Sequence, residues 1–189
     1  MNKLLVSLLI IILLEVSCKK EIEHDLTPYT LEYGTFPSPN IPADNELTKQ
    51  KVKLGRMLFY DKIMSSDGTI SCASCHLQAN SFNDDKQFSE GVNGLLGDRN
   101  AMSIINLAWN TNEFFWDGRS HLLRDQSLGP IENPVEMNET LDNVILKLSA
   151  IEEYKNQFKR AFGSEEINSL KMSLAMEQFM FTIVSNKSK

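Results

Sequence analysis

The apolar positions from Leu47 onward recur with helical rather than strand spacing, and they predict a chain of helices joined by long loops. Leu47, Leu54, Met57 and Leu58 can share one face of a first amphipathic helix ending near Asp61. Ser103 to Trp109 and Arg119 to Leu128 read as short helical segments, the second closed by Gly129-Pro130 as a stop signal. Leu141, Val144, Ile145 and Leu148 follow the i, i+3, i+4, i+7 spacing, and Ile151, Tyr154 and Phe158 continue it in a helix that Gly163 can terminate. A last helix is expected from Ser164 or Glu165, carrying Ile167, Leu170 and Leu174, with Met172, Met176 and Met180 as core filler. No segment alternates apolar and polar residues convincingly, so the predicted fold class is all-α. Residues 62 to 101, with Gly68, Gly91, Gly94 and Gly97 among many Ser, Asn and Asp, read as flexible loop, and no internal repeat is visible.

The start of the chain has a different character. Lys3 precedes an apolar run from Leu4 to Leu14 interrupted only by Ser7. That run is well short of the ~20 residues a spanning helix needs, which makes residues 1–17 a secretory signal peptide. Val16-Ser17-Cys18 then resembles a bacterial lipobox, although Glu15 stands where such a box has an aliphatic residue. The expectation is an exported, periplasmic chain with a lipid on Cys18 holding it to a membrane; ordinary cleavage leaving a free Cys18 is the alternative. Pro28, Pro37, Pro39 and Pro42 fall in residues 18–46, which form a tether or an extended arm on the domain, and the domain proper is residues 47–189. With 189 residues there is room for one core, and the net charge of −6 argues against nucleic acid as a partner while fitting a basic redox protein.

With Cys18 assigned to the lipid, Cys72 and Cys75 remain, within Cys72-Ala73-Ser74-Cys75-His76. This is the c-type haem attachment pattern. Two thiols one helical turn apart can add to the two vinyl groups of one porphyrin, while the adjacent His76 reaches the iron from the same side. A thioredoxin-like pair would need a βαβ setting, and a zinc site more ligands than three histidines supply. A plain Cys72–Cys75 disulfide is the remaining competitor. Electron transfer and catalysis stay open at this point: a His/Met iron only passes electrons, and Met57, Met64, Met102 and Met137 are all candidate sixth ligands.

Five ordered motifs bear on that choice. They are Leu54-Gly55-Arg56-Met57-Leu58-Phe59-Tyr60-Asp61, the CxxCH, Gly97-Asp98-Arg99-Asn100, Phe115-Trp116-Asp117-Gly118-Arg119, and Gly129-Pro130 running to Val135-Glu136-Met137. Together they resemble the N-terminal, peroxidatic half of the bacterial di-haem cytochrome c peroxidases. The resemblance implies an all-α, cytochrome c-like haem domain with long loops that reduces hydrogen peroxide to water with electrons from a small cytochrome c or a cupredoxin. It implies His76 as proximal iron ligand, Glu136 as distal acid/base, Gln126 as a distal amide, Trp116 as the aromatic between two haems and Asn100 as a calcium ligand; homodimer assembly is compatible with it. Where type members carry a histidine that caps the peroxidatic iron, this chain has Val92, with Asn93 beside it, so the iron is expected to stand open without prior reduction. The sequence contains no second CxxCH and ends at Lys189, where the family's inter-domain segment continues, so a fragment or a truncated product is expected. A monohaem electron carrier and a haem-free lipoprotein acting as a binding module are the competing functions.

Overall fold

The computed structural model describes residues 21–187, so the expected signal peptide and the expected lipid site at Cys18 lie outside the described residues. Among the described residues the α-helices are α1 (Lys49–Tyr60), α2 (Cys72–Cys75), α3 (Leu123–Gln126), α4 (Gly129–Glu132), α5 (Leu141–Ser149), α6 (Glu152–Phe162) and α7 (Ser169–Phe181), and no strand is present beyond isolated bridges. The fold is all-α, as the apolar spacing predicts.

Helix α1 starts where Thr48 Oγ1 accepts from the Lys51 N–H and buries Leu54 and Leu58 completely. Its main partner is α7, which it crosses at Gly55. A Cβ at that position would lie 1.9 Å from the Ala175 carbonyl oxygen, so only glycine lets the two backbones meet. Val144 and Leu148 of α5 join Tyr154 and Phe158 of α6 in the same core. Gly163, at φ +74°, ends α6 as its position in the sequence suggests.

Four local expectations fail, each for a tertiary or capping reason. Between Ser103 and Trp109 only Leu107–Trp109 winds, as one 3-10 turn. Asn106 is left-handed (φ +59°), and its backbone and side chain bond to Ile183 and Ser185 beyond α7 instead of continuing a helix. The Arg119–Leu128 helix shrinks to α3 because Ser120 is drawn into a bridge with Phe114. Gly129-Pro130 opens α4 rather than stopping a helix, since proline in a first turn gives up an N–H that has no partner there anyway. The last helix begins at Ser169 because Asn168 caps it, its Oδ1 accepting from Lys171 N–H at 2.9 Å. Its buried face is therefore Met172, Ala175, Met176, Phe179 and Met180, and Leu170 is 59% exposed.

Residues 21–46 run as an extended arm across the domain. Asp25 N–H donates to the Arg160 carbonyl, Asn40 N–H to that of Ala108, and Trp109 Nε1 to that of Pro37 at 2.8 Å. Asn45 is wholly buried, so the packed unit includes residues N-terminal to Leu47.

Candidate functional site

The CxxCH motif forms α2, a single turn braced by Ser71 N–H donating to Ser74 Oγ at 3.0 Å and His76 N–H donating to the Cys72 carbonyl at 2.9 Å. Cys72 and Cys75 are free thiols in this structure, not joined to each other. Burial pushes the Cys72 thiol up to about 12 and the Cys75 thiol up to about 11, so both are neutral SH groups at ordinary pH. His76 Nδ1 lies 3.3 Å from the Phe82 carbonyl oxygen. That acceptor fixes the proton on Nδ1 and leaves Nε2 as the ligand atom. Burial also holds the imidazole pKa below its usual value, against the pull of the Phe82 and Met102 backbone, so the ring is neutral and able to bind a metal.

Cys75 and His76 open into a cleft of about 980 Å³, which Gln126, Pro130 and Glu136 also line. This is at the upper end of the ~300–1,000 Å³ typical of small-molecule and cofactor sites. A small inner cavity of about 60 Å³ shares these residues and is walled by Phe59, Ile104, Met137, Met176 and Met180. Met176 and Met180 are thus both core and cavity wall. Of the four candidate methionine ligands, Met137 lines the inner cavity and Met102 the outer cleft, whereas Met64 is completely buried and, with Met57, lines neither. His76 is the only histidine that lines the cleft: His24 bonds to the Ala161 carbonyl and His121 pairs with Glu113 at the surface.

Glu136 is held from several directions. Asn133 Nδ2 donates to its Oε1 at 2.7 Å, and its backbone carbonyl accepts from Val92 N–H at 2.8 Å. One residue on, the Met137 carbonyl accepts from Ser66 N–H at 2.9 Å. Gly91 packs directly on this loop: a Cβ there would lie 2.2 Å from the Val135 carbonyl oxygen and 2.5 Å from that of Glu136. Instead of flexible loop, Gly91-Val92 is a clamp on the acid-bearing segment. Val92 itself is completely buried and lines neither cavity. Burial raises the Glu136 pKa above the ordinary carboxylate range, opposed by the Asn133 hydrogen bond and the Arg119 charge, with Asp98 adding to the rise. Gln126 shares the cleft, and among the described residues its side-chain amide has no hydrogen-bond partner, which leaves it available to a ligand.

The other expected site residues also line the outer cleft. Trp116 is 61% exposed and donates from Nε1 to the Asn100 carbonyl at 2.9 Å. Asn100 spends its amide nitrogen on the carbonyls of Asp84 and Lys86. No cluster of three or more His, Cys, Asp or Glu that could hold a metal occurs among the described residues. Beside Trp116, Phe115 is left-handed (φ +65°), with the Arg119 guanidinium 3.5 Å from its ring centroid. Sequence reading assigns Asn133 no site role and Gly91 only a place in a loop. Asn133 could have been suspected from its place three residues before Glu136, but the Gly91 contact joins loops distant in the chain and leaves no local signature.

A family model described as di-haem cytochrome c peroxidase matches residues 49–189. The chain is 38% identical over 167 residues to methylamine utilization protein MauG of Methylorubrum extorquens, covering 88% of this chain and 47% of that protein. It is 37% identical over 153 residues to cytochrome c551 peroxidase of Nitrosomonas europaea, covering 81% and 46%. With cytochrome c peroxidase Ccp of Escherichia coli it shares 36% identity, over 83% of this chain and 34% of that one. Among solved structures, a MauG-like protein associated with microbial copper homeostasis superposes with a TM-score of 0.74 at 33% identity, covering 82% of this chain and 46% of that chain. The diheme peroxidase BthA from Burkholderia thailandensis, at 20% identity, a TM-score of 0.63 and coverage of 85% and 47%, shares the fold. The chain spans about half or less of the length of the curated relatives it matches. An all-α domain that brings a CxxCH, a glutamate and an amide to one cleft, together with these matches, places the chain in the di-haem cytochrome c peroxidase family.

Proposed function

We propose that this chain is a peroxide-reducing haem domain, with one c-type haem attached through Cys72 and Cys75, His76 as the proximal ligand and Glu136 as the proton carrier. The observation that carries this is the placement of Glu136, a half-buried carboxyl of raised pKa lining the same cleft as Cys75 and His76 and clamped by Asn133 and Gly91-Val92. The donor set fits the group. Two neutral thiols one turn apart, an imidazole with Nε2 free, a cleft of suitable volume and an apolar inner wall are what a covalently bound porphyrin requires.

A haem bound here would supply, from iron and porphyrin together, the two electrons that cleave the O–O bond of hydrogen peroxide, and the external redox donor would return them. The protein contributes proton handling and orientation. Glu136, as carboxylate, accepts the proton of the inner peroxide oxygen and returns it to the outer one, so that the latter departs as water. A positioned acid/base group of this kind is worth roughly 100- to 10,000-fold in rate. Asn133 sets the carboxylate's direction, the Gln126 amide offers a hydrogen bond to the peroxide, and Met137, Met176 and Met180 keep bulk water from the inner wall. The Val92 N–H is committed to Glu136, so the loop that would bear a capping histidine serves here as a buttress. A haem held by His76 would therefore meet no capping imidazole from this loop.

Export with a lipid on Cys18, a periplasmic location and a small cytochrome or cupredoxin as donor complete the proposal, on the strength of the N-terminal pattern and the family. A calcium ion at Asn100 rests on the resemblance alone, with the side-chain Oδ1 as the atom left to reach it. The test is to add hydrogen peroxide to the ferric, haem-loaded chain without reductant. A high-spin or water-ligated spectrum that changes at once is expected. A low-spin His/Met spectrum indifferent to peroxide would replace the peroxidase with an electron carrier, and a chain that takes up no haem would replace both with a binding module.

A further inference from the structure

Arg124 lies on α3, two residues before Gln126, with a side chain only 10% exposed. Its guanidinium is shared between two carboxylates. Nη1 and Nη2 donate to Asp44 Oδ2 and Oδ1 at 2.7 and 3.0 Å, while Nε and Nη2 reach Glu177 Oε1 and Oε2 at 3.2 and 3.0 Å. Glu177, on α7, is 2% exposed and accepts a further bond from Asn45 Nδ2 at 2.8 Å. One cation thus ties α3 to α7 and to the arm. Burying a charged network is not an efficient way to gain stability, because the desolvation penalty offsets much of the attraction; its stronger attested use is to fix one arrangement.

The element being fixed needs it. A helix of four residues cannot hold itself, because nucleation is unfavourable and few internal bonds form. Gln126 is the last residue of α3, and among the described residues its amide has no partner to set its direction. Where α3 is held therefore decides where that amide points in the cleft. We propose that Arg124 is a positioning residue for Gln126, acting through Glu177 on α7 and Asp44 on the arm; this rests on the role of Gln126 as the distal hydrogen-bond donor. Asp44 is 71% exposed, so the outer half of the anchor can be removed without leaving a buried charge unpaired.

Fluoride is the probe, because it binds ferric haem and draws on distal hydrogen-bond donors without turning over. In the full, haem-loaded chain, Arg124→Lys keeps the charge but loses the two-sided fork. It should retain haem and weaken fluoride binding by about 5- to 10-fold, the worth of one hydrogen bond. Arg124→Lys combined with Gln126→Leu should bind fluoride no more weakly than Gln126→Leu alone, since both changes remove the same contact. Asp44→Asn should act in the same direction by about 2- to 3-fold. Wild-type fluoride affinity in Arg124→Lys, or full additivity in the double variant, would reduce Arg124 to a structural residue and overturn the proposal. Should Arg124→Lys fail to fold, unchanged affinity in Asp44→Asn overturns it equally. Wild-type affinity in Gln126→Leu would remove Gln126 from the distal site, and the positioning role with it.

Discussion

Replacing Gly91 with alanine perturbs the site through the backbone of the Glu136 loop, without changing any side chain that would handle protons or hold iron. The new Cβ would lie 2.2 Å from the Val135 carbonyl oxygen, 2.5 Å from that of Glu136 and 2.7 Å from Glu136 Cα. All three are backbone atoms, so no side chain can swing aside. Reaching even a tight contact of 3.0 Å requires the two loops to part by at least about 0.8 Å, with the overpacking strain of roughly 1–3 kcal/mol seen for such insertions. Parting also stretches the 2.8 Å bond from Val92 N–H to the Glu136 carbonyl, worth about 1 kcal/mol. A total of about 2–4 kcal/mol corresponds to a fall in Tm of roughly 4–16 °C for a domain of this size. The functional effect should be larger, because a displacement near 1 Å of a catalytic group costs on the order of 100-fold. The assay is stopped-flow reaction of the ferric, haem-loaded chain with hydrogen peroxide, alongside haem content and thermal unfolding. A Gly91→Ala protein with wild-type Tm and wild-type peroxide rate would refute the clamp.

Three further outcomes are expected. Changing both Cys72 and Cys75 to Ala should abolish covalent haem, and haem that survives acid–acetone extraction of the double variant would end the assignment. Cys18→Ala should release the protein from the membrane fraction, and unchanged fractionation would remove the lipid. Because Glu136 must be ionised to accept a proton, the peroxide rate should fall as pH drops through its raised pKa, and Asn133→Ala, which removes a hydrogen bond that holds that pKa down, should move the limb to higher pH; a limb that stays put would detach it from Glu136.

The parts of the molecule that follow from local chemistry were legible in the sequence. The CxxCH turn, α1 with its buried Leu54 and Leu58, and the Gly163 end of α6 depend on spacing and on residue type alone. The short segments were not legible because tertiary partners decide them. Asn106 leaves the helical region to bond to the strand of chain after α7, and α3 is cut short by the Phe114–Ser120 bridge. The site divides in the same way. The motifs point to Glu136, Gln126, Trp116 and Asn100, and all four line one cleft with His76. What holds Glu136 was not legible: Gly91 has an ordinary φ of −104°, and its need for glycine arises wholly from carbonyl oxygens that another loop brings against it. Arg124 carries no local signal either, because its burial between Glu177 and Asp44 is made by α7 and the arm.

Glu136→Gln bears most directly on the central claim. Glutamine keeps the shape and the bond from Asn133 but cannot accept a proton, so any loss of rate reports proton transfer rather than structure. With haem content and Tm unchanged, the bimolecular reaction of the ferric, haem-loaded chain with hydrogen peroxide should slow by on the order of 100-fold or more. Equal rates for wild type and Glu136→Gln would contradict the account, because Glu136 would then carry no proton in the reaction.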